Sequence, residues 1–358
     1  MTKQTAIRLF CILLFLALLP DAKGQKNYIV VEAGNAESLL QAISKANEQN
    51  ADPATSKRLF ILIPDGTYDL GERVLTALTG HNISLMGQSM EHTIIRNAPP
   101  TENEGISKTA TLLNLGTGLS LHNLTLRNDL DYYHSGSAGR AVCLQDKGTR
   151  TICQRVRMLS YQDTYYTWSE DGLHYLEDSE IHGTVDFICG AGDVYFNRCL
   201  IVTEPRYEKG GGRCIIAAPR TSQTSWGFVF DRCTVRNIAS NFHYARGWHT
   251  NPHCVWLNTR LDTPALLAAS RFDPAGMRTA RSYFKEYGTT DAEGNNIMPQ
   301  SNIVAFTCNG DTCATETVMQ ENEARRYSPK NVFPKWRPDK MAQRLKKKGA
   351  RLIKKIKK

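Results

Sequence analysis

Short runs of alternating apolar and polar residues, separated by turn residues, fill most of the chain from Phe60 onward, and one earlier stretch departs from that pattern. In residues 36–48, Leu39, Leu40, Ile43 and Ala46 recur at helical spacing, so a short helix is expected after a strand at residues 28–31. The later segments LHNLTLRN, CQRVRMLS, YLEDSEIHG, YFNRCLIVT and FVFDRCTVRN share one form: an aromatic or aliphatic residue, polar residues, then two apolar residues spaced by two. Aligned on Leu124, Val156, Ser179, Cys199 and Cys233, they step by 32, 23, 20 and 34 residues. Periods of that size mark repeat architectures, in which each unit buries its apolar face against the next. The step is too irregular, and the helix content too low, for leucine-rich or helical repeats. The expected fold is therefore all-β, a right-handed parallel β-helix whose early helix caps the open N-terminal end. Residues on successive coils of such a solenoid stack about 4.8 Å apart.

The two ends of the chain read differently. Lys3 and Arg8 precede an apolar run, residues 9–19, and a small-residue exit at residues 22–24, the pattern of a signal peptide over residues 1–24 cut near Gln25. No later segment approaches the roughly 20 apolar residues that a membrane span requires. A soluble product, secreted or periplasmic, is expected, with a β-helical domain over residues 25–315 and an extension over 316–358. In that extension Met341, Leu345, Leu352, Ile353 and Ile356 fall at roughly helical spacing among lysines, the composition of a basic interfacial helix. It suits an anionic membrane, a lipopolysaccharide surface or a polyanionic polysaccharide; a solvated, unstructured tail is the bland reading.

Charge follows the same division. The formal net charge is +9, yet residues 335–358 hold 12 Lys or Arg against one acid and the signal segment adds +2, which leaves residues 25–334 near −4. The solenoid itself has no basic character that would favour nucleic acid. Of the ten cysteines, nine remain after the signal segment. Cys308 and Cys313, flanking NGDT, are placed to close a small disulfide, and the others lack metal-site spacing and read as small buried apolar residues. His249 and His253 are spaced by four, but no third ligand is evident, so packing or surface roles are expected.

Against the strand pattern, two aspartates stand out: Asp163 in YQDTYY and, 23 residues later, Asp186 in GTVDFICG. Aspartate is depleted in strands. A lone Asp would be read as a turn cap between coils. A pair one coil apart is different, because two neighbouring carboxylates resist ionising together, which yields a general acid and a nucleophile or base at one pH. Gln162 adjoins the first as an amide donor fit to stabilise a developing oxyanion.

These segments resemble the pectin methylesterases, the pectinesterase family of carbohydrate esterases. YQDT (161–164) matches the family's GYQDT, GTVDFICG (183–190) its GTVDFIFG, GTYDLGE (66–72) its GxYxE, GRAVCL (139–144) its QAVAL and ARGW (245–248) its GRPW. The likeness runs in order from about residue 27 to about 290. It implies that Asp186 is the nucleophile, Asp163 the proton donor and later base, Gln162 an oxyanion donor and Arg246 the partner that orients Asp186. It implies further that Trp248 stacks on a sugar, that Thr111 contacts substrate, and that Tyr166 offers a sugar platform. The implied partner is methylated homogalacturonan or a branched pectin, acted on by a monomer without metal or cofactor.

Three departures from the family pattern matter. Arg140 replaces the glutamine that is the family's second oxyanion donor; it could donate in its place, salt-bridge an aspartate, or meet an extra carboxylate on a branched pectin. Cys189 replaces a phenylalanine and is expected to remove one wall of the cleft. Gly247 replaces a proline and is expected to free the loop that carries Trp248. Trp168, Trp226 and Trp256 are further groove candidates, though each alone reads as a packing residue. Two alternatives stay open: a β-helical pectate lyase or polygalacturonase, and a pectin-binding homologue whose chemistry is impaired by Arg140.

Overall fold

The computed structural model describes residues 27–135, 138–206, 212–220, 226–238, 241–248 and 251–356. The expected signal segment and His249 lie outside the described residues. Parallel strands wind into three faces of a β-helix. Eight of them, Thr76–Leu78, Leu112–Asn114, Leu144–Asp146, Tyr165–Thr167, Val185–Gly190, Cys214–Pro219, Phe242–Arg246 and Phe272–Asp273, stack in coil order as one sheet. The other two faces merge into a 16-stranded sheet, because Ser120–Asn128 and Thr151–Leu159 run through the shared corner unbroken.

That corner explains the repeat read from the sequence. Asn123, Arg155, Asp178, Arg198 and Arg232 all take left-handed backbone angles, with φ between 49° and 54°, one per coil. Each immediately precedes one of the aligned positions Leu124, Val156, Ser179, Cys199 and Cys233. A residue at positive φ turns the chain from one face to the next, and the apolar residue after it points inward.

Inside, like residues stack in register. Phe196, Phe230 and Trp256 lie on successive coils (Phe196↔Phe230, Phe230↔Trp256) with ring centroids 4.3 and 3.9 Å apart and nearly parallel planes. Trp256 is fully buried in this column and belongs to the core, not to a groove. Trp226 packs edge-on against Tyr327, which removes it from the groove candidates as well. Helix Ala36–Gln49 caps the N-terminal end as expected: the Asn35 side chain accepts a hydrogen bond from the Ser38 amide, and Leu39, Ala42, Ile43 and Ala46 are buried.

The C-terminal segment departs from its sequence reading. Helix Pro338–Ile356 lies on the outer surface of the 16-stranded sheet. Together with Met319, Val332, Phe333 and Trp336, its Ala342, Leu345, Leu352 and Ile353 cover an outward apolar row that includes Phe60, Met86, Ile152, Tyr175, Tyr195 and Val255. The segment starts beside the last coils and runs back to the first ones. Its apolar face is thus committed to the protein's own surface, so neither the free interfacial helix nor the unstructured tail is realised. Cys308 and Cys313 form the expected disulfide, Cα atoms 5.8 Å apart, and the seven other described cysteines are buried thiols.

Candidate active site

The eight-stranded face carries the chemistry. Its strands register Tyr165 with Ile188 and Tyr166 with Cys189, an offset of 23 residues that sets Asp163 beside Asp186 on adjacent coils. Both aspartates have positive φ, 59° and 51°, a conformation that Asp tolerates better than most residues. Asp186 also sits in a register shift between Val185 and Ile188, a bulge that aims its side chain away from the regular ladder. The two misplaced carboxylates are therefore corner residues, and the strand pattern around them is real.

Arg246 ends the strand two coils further on and reaches back to Asp186. Its Nε donates to Asp186 Oδ1 at 2.8 Å and its Nη2 donates to Oδ2, a bidentate fork. Burial holds the Asp186 pKa above the ordinary carboxylate value, and the Arg246 guanidinium offsets part of that rise. Asp163 lacks such a grip. Burial, then the Asp186 charge, push its pKa well above the usual carboxylate range, and Arg140 opposes them with Nε 3.7 Å from Oδ2. The Cys189 thiol lies 3.8 Å from Asp163 Oδ1 and is itself held protonated by burial. Of the two, Asp163 is thus the one more strongly biased towards holding a proton.

Gln162 is part exposed and bridges to Arg140 through the backbone, with the Ala141 amide donating to the Gln162 carbonyl at 3.0 Å. That contact brings Gln162, Asp163 and Arg140 to one edge of the cleft. Glu104, which no sequence pattern singles out, accepts from both the Arg140 amide (2.9 Å) and its Nη1 (3.3 Å). It comes from a loop without periodicity, and the sequence carries no signal that would have found it.

Other expected site residues lie elsewhere. Thr111 is fully buried; its hydroxyl donates to Asn97 Oδ1 at 2.6 Å, so it ties coils together beneath the cleft and does not reach a ligand. Tyr166 is 1% exposed, edge-on to Trp168 and tilted against Trp248, so it supports those rings and offers no open platform. Trp248 is part exposed above Tyr166 and Cys189, and Trp168 is 45% exposed. Cys189 is part of this buried floor. Arg220, also missed, places its guanidinium 4.5 Å from the Trp168 ring and 5.7 Å from the Trp248 ring. Gln145, one coil from Tyr166, is buried with neither amide atom partnered by protein. The loop at Gly247 is not freed: a Cβ there would meet the Gly276 carbonyl oxygen at 2.4 Å, and the Gly247 amide donates to Ala275 at 3.0 Å. Glycine permits this close backbone approach.

Comparison with known proteins agrees with this geometry. The family model Pectinesterase matches residues 28–271. A probable pectinesterase 50 of Arabidopsis thaliana is 26% identical over 246 residues, covering 68% of this chain and 62% of that protein. A probable pectinesterase 30 from the same plant is 32% identical over 185 residues, 51% of this chain and 35% of that one. The chain thus spans less than two thirds of the length of either relative. Among solved structures, a pectin methylesterase from Erwinia chrysanthemi superposes with a TM-score of 0.64 at 24% identity, covering 83% of this chain and 93% of that one. The carrot pectin methylesterase gives 0.65 at 19% identity, covering 88% and 95%. The stacked aspartates, the arginine that grips one of them and the match over residues 28–271 lead to one conclusion: the chain belongs to the pectinesterase family.

Proposed function

We propose that the protein hydrolyses methyl esters of galacturonate residues in pectin. One observation carries this reading: Asp186, held in the bidentate fork of Arg246, stacks one coil from Asp163, whose carboxyl pKa is pushed well above the usual range by burial and the Asp186 charge. The Asp186 carboxylate attacks the ester carbonyl carbon at C6, opening its π bond onto oxygen, with Gln162 and Arg140 as the donors nearest the developing oxyanion. Each such donor is commonly worth about 3 kcal/mol. Collapse expels methoxide, which takes the Asp163 proton and leaves as methanol. Asp163, now anionic, removes a proton from water; the hydroxide attacks the acyl group, the acyl bond to Asp186 breaks to free its carboxylate, and the galacturonic acid released gives its proton to solvent.

Trp248 and Trp168 supply faces for sugar stacking, with Arg220 beside both. A solved pectin methylesterase of this fold has been described in complex with a hexasaccharide, which supports a polymer lying across this face. The test is methanol release from methylated homogalacturonan and from branched pectin, with Asp186→Asn as control. No release above that control on either substrate would refute the proposal and favour a binding protein.

A further inference from the structure

The C-terminal helix Pro338–Ile356 fixes a row of cations on a face of the solenoid that does not carry the aspartates. Lys340, Arg344, Lys347, Arg351 and Lys354 recur at steps of four and three residues and are all exposed. At 1.5 Å rise per residue, neighbours in this stripe are about 5 Å apart along the axis, on the scale of one sugar ring. The buried residues Ala342, Leu345, Gly349 and Leu352 follow the same rhythm on the opposite side. Gly349 lets the helix settle against Met86, which a Cβ would strike.

Two features decide what such a stripe binds. Ala342, Leu345, Leu352 and Ile353, which would enter a lipid surface, lie against the sheet, and Met341 is the one large apolar side chain of the helix that is exposed among the described residues, so the ridge is overwhelmingly cationic. The ridge is also rigid, since its helix is packed along the solenoid, and the order is established before a ligand arrives. The nearby carboxylates Glu177 and Asp178 are both engaged by Arg198, at 2.8 and 2.9 Å, so they do not neutralise the stripe.

We propose that this ridge is a second binding site, for a linear polyuronate, the de-esterified form of the galacturonan. The partner's identity rests on the esterase reading above, because that reaction leaves a carboxylate on each sugar it visits. A polymer segment already stripped of methyl groups lies along residues 340–354 while another segment of the same or a neighbouring chain occupies the aspartate cleft. The site ignores neutral, fully methylated pectin.

The test uses the full chain and measures binding of polygalacturonate, highly methylated pectin and phosphatidylglycerol vesicles at low and moderate salt. Wild type should bind polygalacturonate, with affinity falling as salt rises. Lys347→Glu/Arg351→Glu/Lys354→Glu should lose about tenfold or more, and the matching glutamine triple variant an intermediate amount. Methanol release from a short methylated oligogalacturonate should be unchanged in both, which also shows that they are folded. Equal polygalacturonate binding by wild type and the charge-reversed variant would overturn the proposal, as would wild type that binds vesicles but not polygalacturonate. Absence of methanol release alongside charge-dependent polygalacturonate binding would sink the esterase reading and leave the ridge standing.

Discussion

One carboxylate oxygen of Glu104, Oε1, accepts from both the backbone amide and the guanidinium of Arg140, at 2.9 and 3.3 Å, and so holds that guanidinium beside Asp163. The Arg140 charge lowers the Asp163 pKa and the Glu104 charge raises it. Since Asp163 must enter the reaction protonated, activity is lost as pH rises through its pKa. Arg140→Gln should therefore shift the alkaline limb of the kcat/KM profile to higher pH, and Glu104→Gln should shift it lower. Arg140→Ala should in addition reduce kcat by about 100- to 1,000-fold if the guanidinium is an oxyanion donor. Profiles that superpose for all three would remove Arg140 from the chemistry.

Asp186 depends on Arg246 for its charge. Burial alone raises its pKa, and the bidentate fork opposes that rise. Arg246→Ala should move the acid limb of the profile to higher pH, because the nucleophile must be deprotonated. Arg246→Lys keeps the charge but loses the fork, so it should recover the position of the limb better than the rate. Asp186→Asn should abolish methanol release while leaving the melting temperature near that of wild type.

The tryptophans should separate by location. Trp168 is 45% exposed beside Arg220, so Trp168→Ala should raise KM on polymeric substrate with little change in kcat. Trp256 is sealed between Phe230 and Tyr244, and Trp256→Ala should cost about 3–5 kcal/mol of stability, read as a fall in melting temperature.

Thr111 offers a test of a residue placed away from the substrate. Thr111→Val keeps the shape but leaves the buried Asn97 oxygen without that donor, which should cost about 1–3 kcal/mol in a denaturant titration. The rate per folded molecule should not change.

Removal of the C-terminal segment that covers the outer face of the 16-stranded sheet supplies a further test. A chain ending at Thr317 would uncover Phe60, Met86, Ile152, Tyr175, Tyr195 and Val255. Binding of an apolar dye should rise, and the melting temperature should fall by roughly 10 °C or more. An unchanged melt would show that the segment is dispensable for the solenoid.

The sequence alone determined the solenoid, its capping helix and the stacking of Asp163 and Asp186 on adjacent coils. Those properties are local or periodic: the residue after each left-handed corner turns inward and is apolar or small, so Leu124, Val156, Ser179, Cys199 and Cys233 record the repeat. Asp163 and Asp186 were legible because a carboxylate breaks a strand pattern wherever it occurs. Tertiary structure decided which side of the coil wall each other side chain meets. Thr111 and Trp256 fit a substrate contact as well as a buried one until the register fixes their direction, and Glu104 reaches Arg140 from a loop whose path no periodicity encodes. The C-terminal helix shows the same limit most clearly. Its amphipathic pattern specifies that an apolar face must be covered, but the cover here is the outer wall of the same chain, a complementarity of shape between distant segments that a linear pattern does not contain.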